Sequence, residues 1–329
     1  MRNKNAKTEQ GGFVVVVVLC MVMMLSVLLL GFHHEARVNL HSVDDFRRSE
    51  QARHCAKAGL NIAIAALKES PDIRADKLQR NLPSYGNTFA VGEGQCSVTL
   101  SQESGKLNVN FLKDRSGKLN QTAIDQVLRL FDLLNQQKNA QPQMSYALVP
   151  AIIDWADGDD EISDLPFILC ESRGAESDYY RRSKPPYACR NGPLETTEEL
   201  VLVKGMTKEV FDRVSDYLTV YGDGKINVNH ASALVLQSLS EQMDAALARR
   251  IENRRQLQSF ESVAELRDLP GMTETIYNTI RRSATVEPSS EYFHVVSQGS
   301  VDRLSRTIVA ILHRSGETKN VEVILYKEL

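Results

Sequence analysis

Residues 10–32 read QGGFVVVVVLCMVMMLSVLLLGF. The chain turns from polar to apolar at the Gly12–Phe13 bond, and the twenty residues Phe13 to Phe32 include only Cys20, Ser26 and Gly31 as weakly polar members. At about 1.5 Å of rise per residue, a helix of that length matches the roughly 30 Å hydrocarbon core of a bilayer. A cleavable secretory signal has a shorter apolar stretch, about 7–15 residues, with its small-residue site at the far end. Here the small pair Gly11-Gly12 comes first, so any processing there leaves the helix attached. Arg2, Lys4 and Lys7 outweigh Glu9 in the leader, so the positive-inside rule holds residues 1–12 in the cytoplasm. The expectation is a single pass of a bacterial inner membrane with the bulk of the chain in the periplasm.

The 329 residues, 42% hydrophobic and 25% charged, suffice for two modest globular units beyond the anchor. The net charge is −3 with +2 in the leader, which leaves −5 on the remainder and argues against nucleic acid as the main partner. Of five cysteines, Cys20 lies in the apolar run; the other four, Cys55, Cys96, Cys170 and Cys189, allow three pairings in an oxidising compartment. Cys170 and Cys189 bracket a polar loop with no other thiol, and closing it contributes about 3 kcal/mol in the chain-entropy model. That bridge is expected, with Cys55 and Cys96 as structural or free thiols.

Between the apolar run and Pro71 there is no proline, so one helix is expected to continue to about Glu69. Its Arg47–His54 stretch is polar all round and reads as an exposed neck. Ala56, Leu60, Ala63, Ile64 and Leu67 then recur at helical spacing and need a partner surface. Strands are predicted at Thr88–Val91, Gln95–Gln102, Lys106–Asn110, Tyr292–Gln298, Arg303–Arg314 and Asn320–Lys327. Helical periods fill the middle. Within it, TTEELVLVKGMTKEVFDRV (196–214) matches SVAELRDLPGMTETIYNTI (262–280) at an offset of 66 residues. Thr196 with Glu199 and Ser262 with Glu265 have capping-box spacing; Gly205 and Gly271 can end the first helix of each copy, and Thr207 and Thr273 can cap the second. A second echo pairs GKLNVN (105–110) with GKINVN (224–229), and makes Asn229 the expected N-cap of a helix over 231–239.

The hairpins resemble a helix-hairpin-helix, a motif that grips DNA phosphate through backbone N–H groups. Thr207 and Thr273 stand where that motif usually has a second glycine, and their Cβ atoms hinder a close phosphate approach. Arg249, Arg250, Arg254, Arg255, Arg281 and Arg282 keep the DNA reading open. The densest chemistry is DWADGDDEISD (154–164), followed by Glu171, Glu176 and Asp178. Carboxylates this close repel unless a cation neutralises them, and hard oxygen donors on a glycine-containing loop suit calcium better than zinc. A solvated acidic loop is the other reading. Trp155, Tyr179 and Tyr180 are expected to pack the helical region, His33-His34 to lie at the membrane interface, and the absence of hydrolase, zincin and phosphate-loop signatures argues against an enzyme.

The leader and apolar run resemble the signal of type IV pilins and their secretion-system relatives. In those a prepilin peptidase cuts after the position of Gly12 and methylates the amine of Phe13. Together with AIIDWADGDDE (151–161), GAESDYY (174–180), KPPYACRNGPLETTEELVLVKGMT (184–207) and GKINVNHAS (224–232), in that order, the sequence resembles the protein K family of the type II secretion system over nearly its whole length. The resemblance implies an α+β fold: a pilin-like long N-terminal helix packed on an antiparallel sheet, with a large α-helical insertion holding the two helix-hairpin-helix-like repeats. It divides the chain into a leader (1–12), a transmembrane segment (13–32), a periplasmic helix with the first strands (33–110), the insertion (111–290) and the last strands (291–329). It further implies calcium in the insertion, with candidate ligands Asp154, Asp157, Asp159, Asp160, Glu161, Glu171, Glu176 and Asp178. The implied role is a minor pseudopilin capping a periplasmic pseudopilus, with minor pseudopilins I and J as partners, then H and the major pseudopilin G, prepilin peptidase and inner-membrane lipid. The Cys170–Cys189 pair is not a general family feature. Pilin-type subunits carry Glu at the fifth mature position; here that position is Val17. The competing class is a DNA-handling pseudopilin or a membrane-anchored helix-hairpin-helix DNA-binding protein.

Overall fold

A computed structural model describes residues 9–69, 88–114, 116–137, 141–165, 173–286, 290–315 and 320–329, with side chains from Phe13 onward. One helix, α1 (Glu9–Glu69), runs unbroken through the anchor and the neck. From Phe13 to Phe32 its apolar side chains stand open, and no part of its most apolar window is covered by protein. A bilayer is the medium that satisfies such a surface. The protein face begins already within Arg47–His54, the stretch expected as an exposed neck: Ala52 is buried there against the sheet, and Ala56, Leu60, Ala63 and Leu67 are buried beyond it, with Ile64 half-buried beside them.

That face lies on a five-stranded antiparallel sheet made of β1 (Thr88–Val91), β2 (Gly94–Gln102), β7 (Ser290–Val301), β8 (Leu304–Ser315) and β9 (Val321–Glu328), side by side in that order. Val98, Leu100, Phe293, Val295, Ile308, Ala310 and Leu312 fill the interface. Their alternation along each strand is what a sheet with one covered face requires. Approach is closest at Gly299, where an added Cβ would stand 2.0 Å from the carbonyl oxygen of Ala52. Ion pairs fasten the helix to the far end of the chain: Arg53 Nε lies 2.7 Å from Glu328 and Arg48 3.2 Å from Asp302.

Between β2 and β7 the chain builds a second lobe with its own core, and the echoes in the sequence mark its joints. Here β3 (Leu107–Asn108) pairs in parallel with β4 (Leu218–Thr219), and β5 (Ile226–Asn227) pairs in parallel with β6 (Ala284–Thr285). The Lys106–Asn110 stretch, expected as a strand of the head, thus serves the lobe. Each Gly-Lys-x-Asn-Val-Asn turn is held the same way. The first asparagine, Asn108 or Asn227, accepts from the backbone N–H two residues on. The second clamps a distant backbone in both directions: Asn110 binds Leu194 N and O at 2.9 Å each, and Asn229 binds Phe260 N at 2.9 Å and O at 3.0 Å. Leu194 and Phe260 are themselves 66 residues apart.

Asn229 is therefore not a helix cap. The helix after it, α6 (Ala233–Ser238), starts later than expected and is capped by Ser232, whose hydroxyl accepts from Val235 N. The two bonds to Phe260 orient the Asn229 amide toward that distant backbone, and the cap falls to Ser232. The remaining helices are α2 (Gln121–Asn135), α3 (Leu148–Ala156), α4 (Ser177–Tyr180), α5 (Lys208–Val214), α7 (Ala245–Leu257) and α8 (Glu274–Ile280). A 3-10 turn, Thr197–Leu202 or Val263–Asp268, opens each of the two matched segments with a capping box. Gly205 at φ 82° or Gly271 at φ 91° reverses the chain, and Thr207 or Thr273 caps α5 or α8. Only glycine adopts such a φ without strain.

Candidate metal centre

Helix α3 is apolar over 148–153 and fully buried there, which drives its C-terminal end into the lobe with Asp154 and Trp155 attached. Asp154 is 0% exposed, so the core imposes a carboxylate on a dry site. One of its oxygens accepts from Ser163 N at 2.9 Å; the other, Oδ2, is buried and has no partner. The chain then loops out through Asp157, Asp159, Asp160 and Glu161 and returns by an antiparallel bridge between Asp164 and Arg173. Gly174 follows, with its N–H on Ser163 O, and a Cβ at that position would lie 2.0 Å from Asp154 Oδ2. The missing side chain leaves room for the carboxylate.

Glu176, just before α4, turns back toward the same point. Oxygens of Asp157, Asp159 and Glu176 lie within 4.8 Å of one another. Glu176 is 5% exposed, and neither of its carboxylate oxygens has a hydrogen-bond partner; Asp157 Oδ1 is likewise buried and orphaned. Lys113 pairs with Asp157 and stands 3.6 Å from Asp159, among the described residues one cation against four carboxylates when Asp154 is counted. The electrostatics follow from this crowding. Burial, reinforced by the charges of Asp154 and Asp157, pushes Glu176 up to about 8. Burial raises Asp154 and Asp157 as well, the latter despite Lys113. Burial works to lower Lys113, but pairing with Asp157 more than offsets it and the net shift is upward.

The expected ligands separate into two groups. Asp157, Asp159 and Glu176 come together, and Asp154 lies near enough for its charge to act on Glu176. Asp160, exposed, accepts from Asn191 at 3.4 Å; Glu161 is exposed and gives its backbone N–H to Asp159; Asp178 faces solvent and pairs with Arg181. Glu171 and Cys170 lie outside the described residues. Cys189 is present as a buried thiol that donates to Asp154 O at 3.4 Å, and burial with the nearby Glu176 pushes it up to about 12. Trp155 and Tyr180 pack edge to face at 5.0 Å beneath the acidic loop, as expected of them, whereas Tyr179 is exposed. Lys113 and Gly174 carry no local sequence signal for this site: the lysine lies more than forty residues upstream, and the glycine is one among many.

The three converging donors are hard carboxylate oxygens, and Asp157, Glu176 and the neighbouring Asp154 retain buried oxygens without partners. A polar atom in that condition costs about 1–3 kcal/mol, more when charged. A divalent cation among Asp157, Asp159 and Glu176 would satisfy such oxygens, and oxygen-only donors fit calcium.

Models of the type II secretion system protein K family match residues 105–223 and 226–286, together more than half the chain. The chain belongs to the type II secretion system protein K family. The two matched segments coincide with the units closed by β3 with β4 and by β5 with β6. Family members similar to it include protein K of Pseudomonas aeruginosa, 24% identical over 94% of this chain and 90% of its own. Protein K of Aeromonas hydrophila is 21% identical over 95% and 96%, and that of Klebsiella pneumoniae 25% identical over 68% and 69%. Among solved structures, a chain in the crystal structure of the GspK–GspI–GspJ complex of the enterotoxigenic Escherichia coli type 2 secretion system has the same fold. Its TM-score is 0.63 at 18% identity, covering 88% of this chain and 99% of that one. Family membership makes the chain a component of the secretion machinery, with an N-terminal helix that fits a single-pass anchor.

Proposed function

We propose that this member of the protein K family is a minor pseudopilin at the tip of a short periplasmic pseudopilus, where it helps initiate assembly for export of folded proteins across the outer membrane. The observation that carries this is Val17. An open apolar helix whose fifth residue after Gly12 bears no carboxylate has nothing to offer the amine of a subunit ahead of it, while a carboxylate left unpaired in lipid would cost several kcal/mol. A lobe spanning residues 105–286 is also too bulky to repeat at every step of a tightly wound shaft.

On this reading prepilin peptidase cuts between Gly12 and Phe13, near the start of α1, and methylates Phe13. Minor pseudopilins I and J bind the side of the head facing the shaft, with H and the major pseudopilin G behind them; the occurrence of the solved relative in a GspK–GspI–GspJ complex supports I and J. Calcium joins the C-terminal end of α3, the acidic loop and Glu176 as a structural cross-link, held by Asp154, Asp157, Asp159 and Glu176. The matched segments are helix-hairpin-helix-like units that serve protein packing. Their arginines support that use: Arg250 donates to Pro270 O, Arg254 to Gln258 O, and Arg255 to Val228 O and Ala231 O. These bonds commit part of each guanidinium to the protein's own backbone.

A photo-crosslinker in place of Arg47, exposed on the neck, tests the placement. It is expected to capture minor pseudopilins in preference to the major one. Abundant crosslinks between two copies of this chain would overturn the tip position, and retention of Met1 in cells with active peptidase would overturn the processing.

A further inference from the structure

We infer that Cys55 and Cys96 are an oxidation site, closing to a disulfide that staples α1 to β2. Both thiols are buried, at 3% and 0% exposure, in one small cluster with Ala52 and Val301. Their separation is fixed by the glycines around them. Gly299 is the cross-strand partner of Cys96, and a Cβ on it would stand 2.9 Å from the Cys55 Cβ. Gly94 shares the buried face of β2 with Cys96, two residues away, and a Cβ there would stand 2.7 Å from the Cys55 sulfur. Cys55 is thus held between the positions across from and next to Cys96 on one sheet face. From the other side, a Cβ on Gly59, one helical turn beyond Cys55, would lie 3.3 Å from the Cys96 sulfur. The Cys96 sulfur thus lies close to α1 and the Cys55 sulfur close to β2, and a disulfide between them requires their Cβ atoms to stand about 3.5–4.5 Å apart. The Cys55 thiol donates to Val91 O at 3.5 Å, and closing the bond requires it to turn from that carbonyl toward Cys96. Burial raises both thiols, and the charge of Cys55 raises Cys96 further, as proximity demands.

The oxidant is a disulfide of a thiol–disulfide exchange protein or of a small thiol. One cysteine, as thiolate, attacks that disulfide and expels one of its thiols; the second cysteine loses its proton and attacks the mixed disulfide, expelling the other. The chain gives up two electrons and two protons, and the oxidant leaves as two thiols. Since the finished packing covers both sulfurs, the exchange precedes the seating of α1 on the sheet. An oxidising surrounding is supplied by the periplasmic placement in the proposed function, on which the reaction in cells rests.

The test uses the full chain from membranes, trapped in acid, alkylated and digested without reduction. A linked peptide pair joining Cys55 to Cys96, lighter than its separated halves by two hydrogens, is expected in most molecules. Reductant should lower the Tm of this protein in detergent by several degrees, and Cys96→Ala should cancel that part of the response while leaving any effect of Cys170 and Cys189 in place. In parallel, chain purified with reductant is treated with copper–phenanthroline, which joins neighbouring thiols in any compartment. Both thiols alkylated in both preparations would overturn the inference. A link made only by the catalyst would uphold the geometry and count against the periplasmic placement instead.

Discussion

If calcium fills the acidic cluster as proposed, its removal is the perturbation whose consequences follow most directly from the geometry. Without it, Glu176 is held at about 8 against an ordinary glutamate near 4.5. A carboxyl raised in the folded state favours its neutral form there, so the unfolded chain gains by ionising it. Stability is unaffected below the ordinary value, falls as pH rises from about 4.5 to about 8, and levels off above. After allowance for screening by solvent through the loop, the cost at pH 7 is roughly 1–3 kcal/mol. A divalent cation reverses the sign, because it binds only the assembled cluster. At a hundred times its Kd it adds about 2.7 kcal/mol, or about 5–10 °C in Tm for a lobe of this size. Thermal unfolding of the full chain in detergent, with calcium or with chelator, at intervals from pH 5 to 8, reads both effects. In chelator Tm should fall across that window; in calcium it should stay high. Glu176→Gln should raise the chelator curve near pH 7 by a few degrees, less than the full cost because its amide is also buried, and should remove most of the response to calcium. Superimposable curves with and without calcium, combined with no pH slope in chelator, would refute the reasoning and leave the cluster an acidic surface.

Gly299→Ala places a Cβ on the carbonyl of Ala52 and should push α1 off the sheet, at a cost of about 1–3 kcal/mol or more; circular dichroism melts in detergent read it, and an unchanged Tm would show that the helix seats elsewhere. Asn110→Ala and Asn229→Ala each orphan a buried backbone N–H and C=O, and should each lower stability by about 2–3 kcal/mol in denaturant titrations, with the larger loss at Asn110, whose amide also donates to Val220 O at 3.1 Å. Glu328, held at about 2 by Arg53 and Tyr326, contributes stability that is complete above the ordinary glutamate value and is lost as pH falls from about 4.5 toward 2. Glu328→Gln should flatten the acid limb in that window alone.

How much of this was legible in the sequence depends on whether a feature is periodic or assembled from afar. The apolar run, the stripe Ala56 to Leu67 and the alternating strands are local periods, and they form where expected because burial acts on one face of a helix or strand. The capping boxes and the glycines at 205 and 271 were legible because a cap or a positive φ restricts residue type at one position. Asn229 was misread: its local context matches an N-cap, but its partner Phe260 is distant in sequence, and tertiary contact won over propensity. Asp157, Asp159 and Glu176 come together while Asp178, in the same acidic stretch, turns outward, since which carboxylates converge depends on how α3 and α4 are oriented by their buried faces. Lys113 enters the site from across the lobe, a relation no local pattern encodes.

The two echoes in the sequence, taken together, explain why an acidic loop exists at all. From Gly105 to Gly224 the offset between equivalents is 119 residues, whereas from Thr196 to Ser262 it is 66, so the first unit is 53 residues longer than the second. Both units keep the asparagine clamp, the capping box, the reversing glycine and the closing parallel strand. The extra residues therefore fall between the first unit's opening turn and Leu194, and the stretch from α3 through Asp157, Asp159, Glu176 and Cys189 lies there. The second unit closes its clamp after two helices, α6 and α7. The first must bring a much longer excursion back to Asn110, and its return passes Glu176 and Cys189 shortly before the clamp. The proposed cation at Asp157, Asp159 and Glu176, beside Asp154, would fasten the segment after α3 to the returning segment. Shortening the excursion to the length of the second unit should remove calcium binding and leave the clamp intact. Loss of the clamp in such a deletion, seen as collapse of the whole lobe, would show instead that the added residues hold the first unit together.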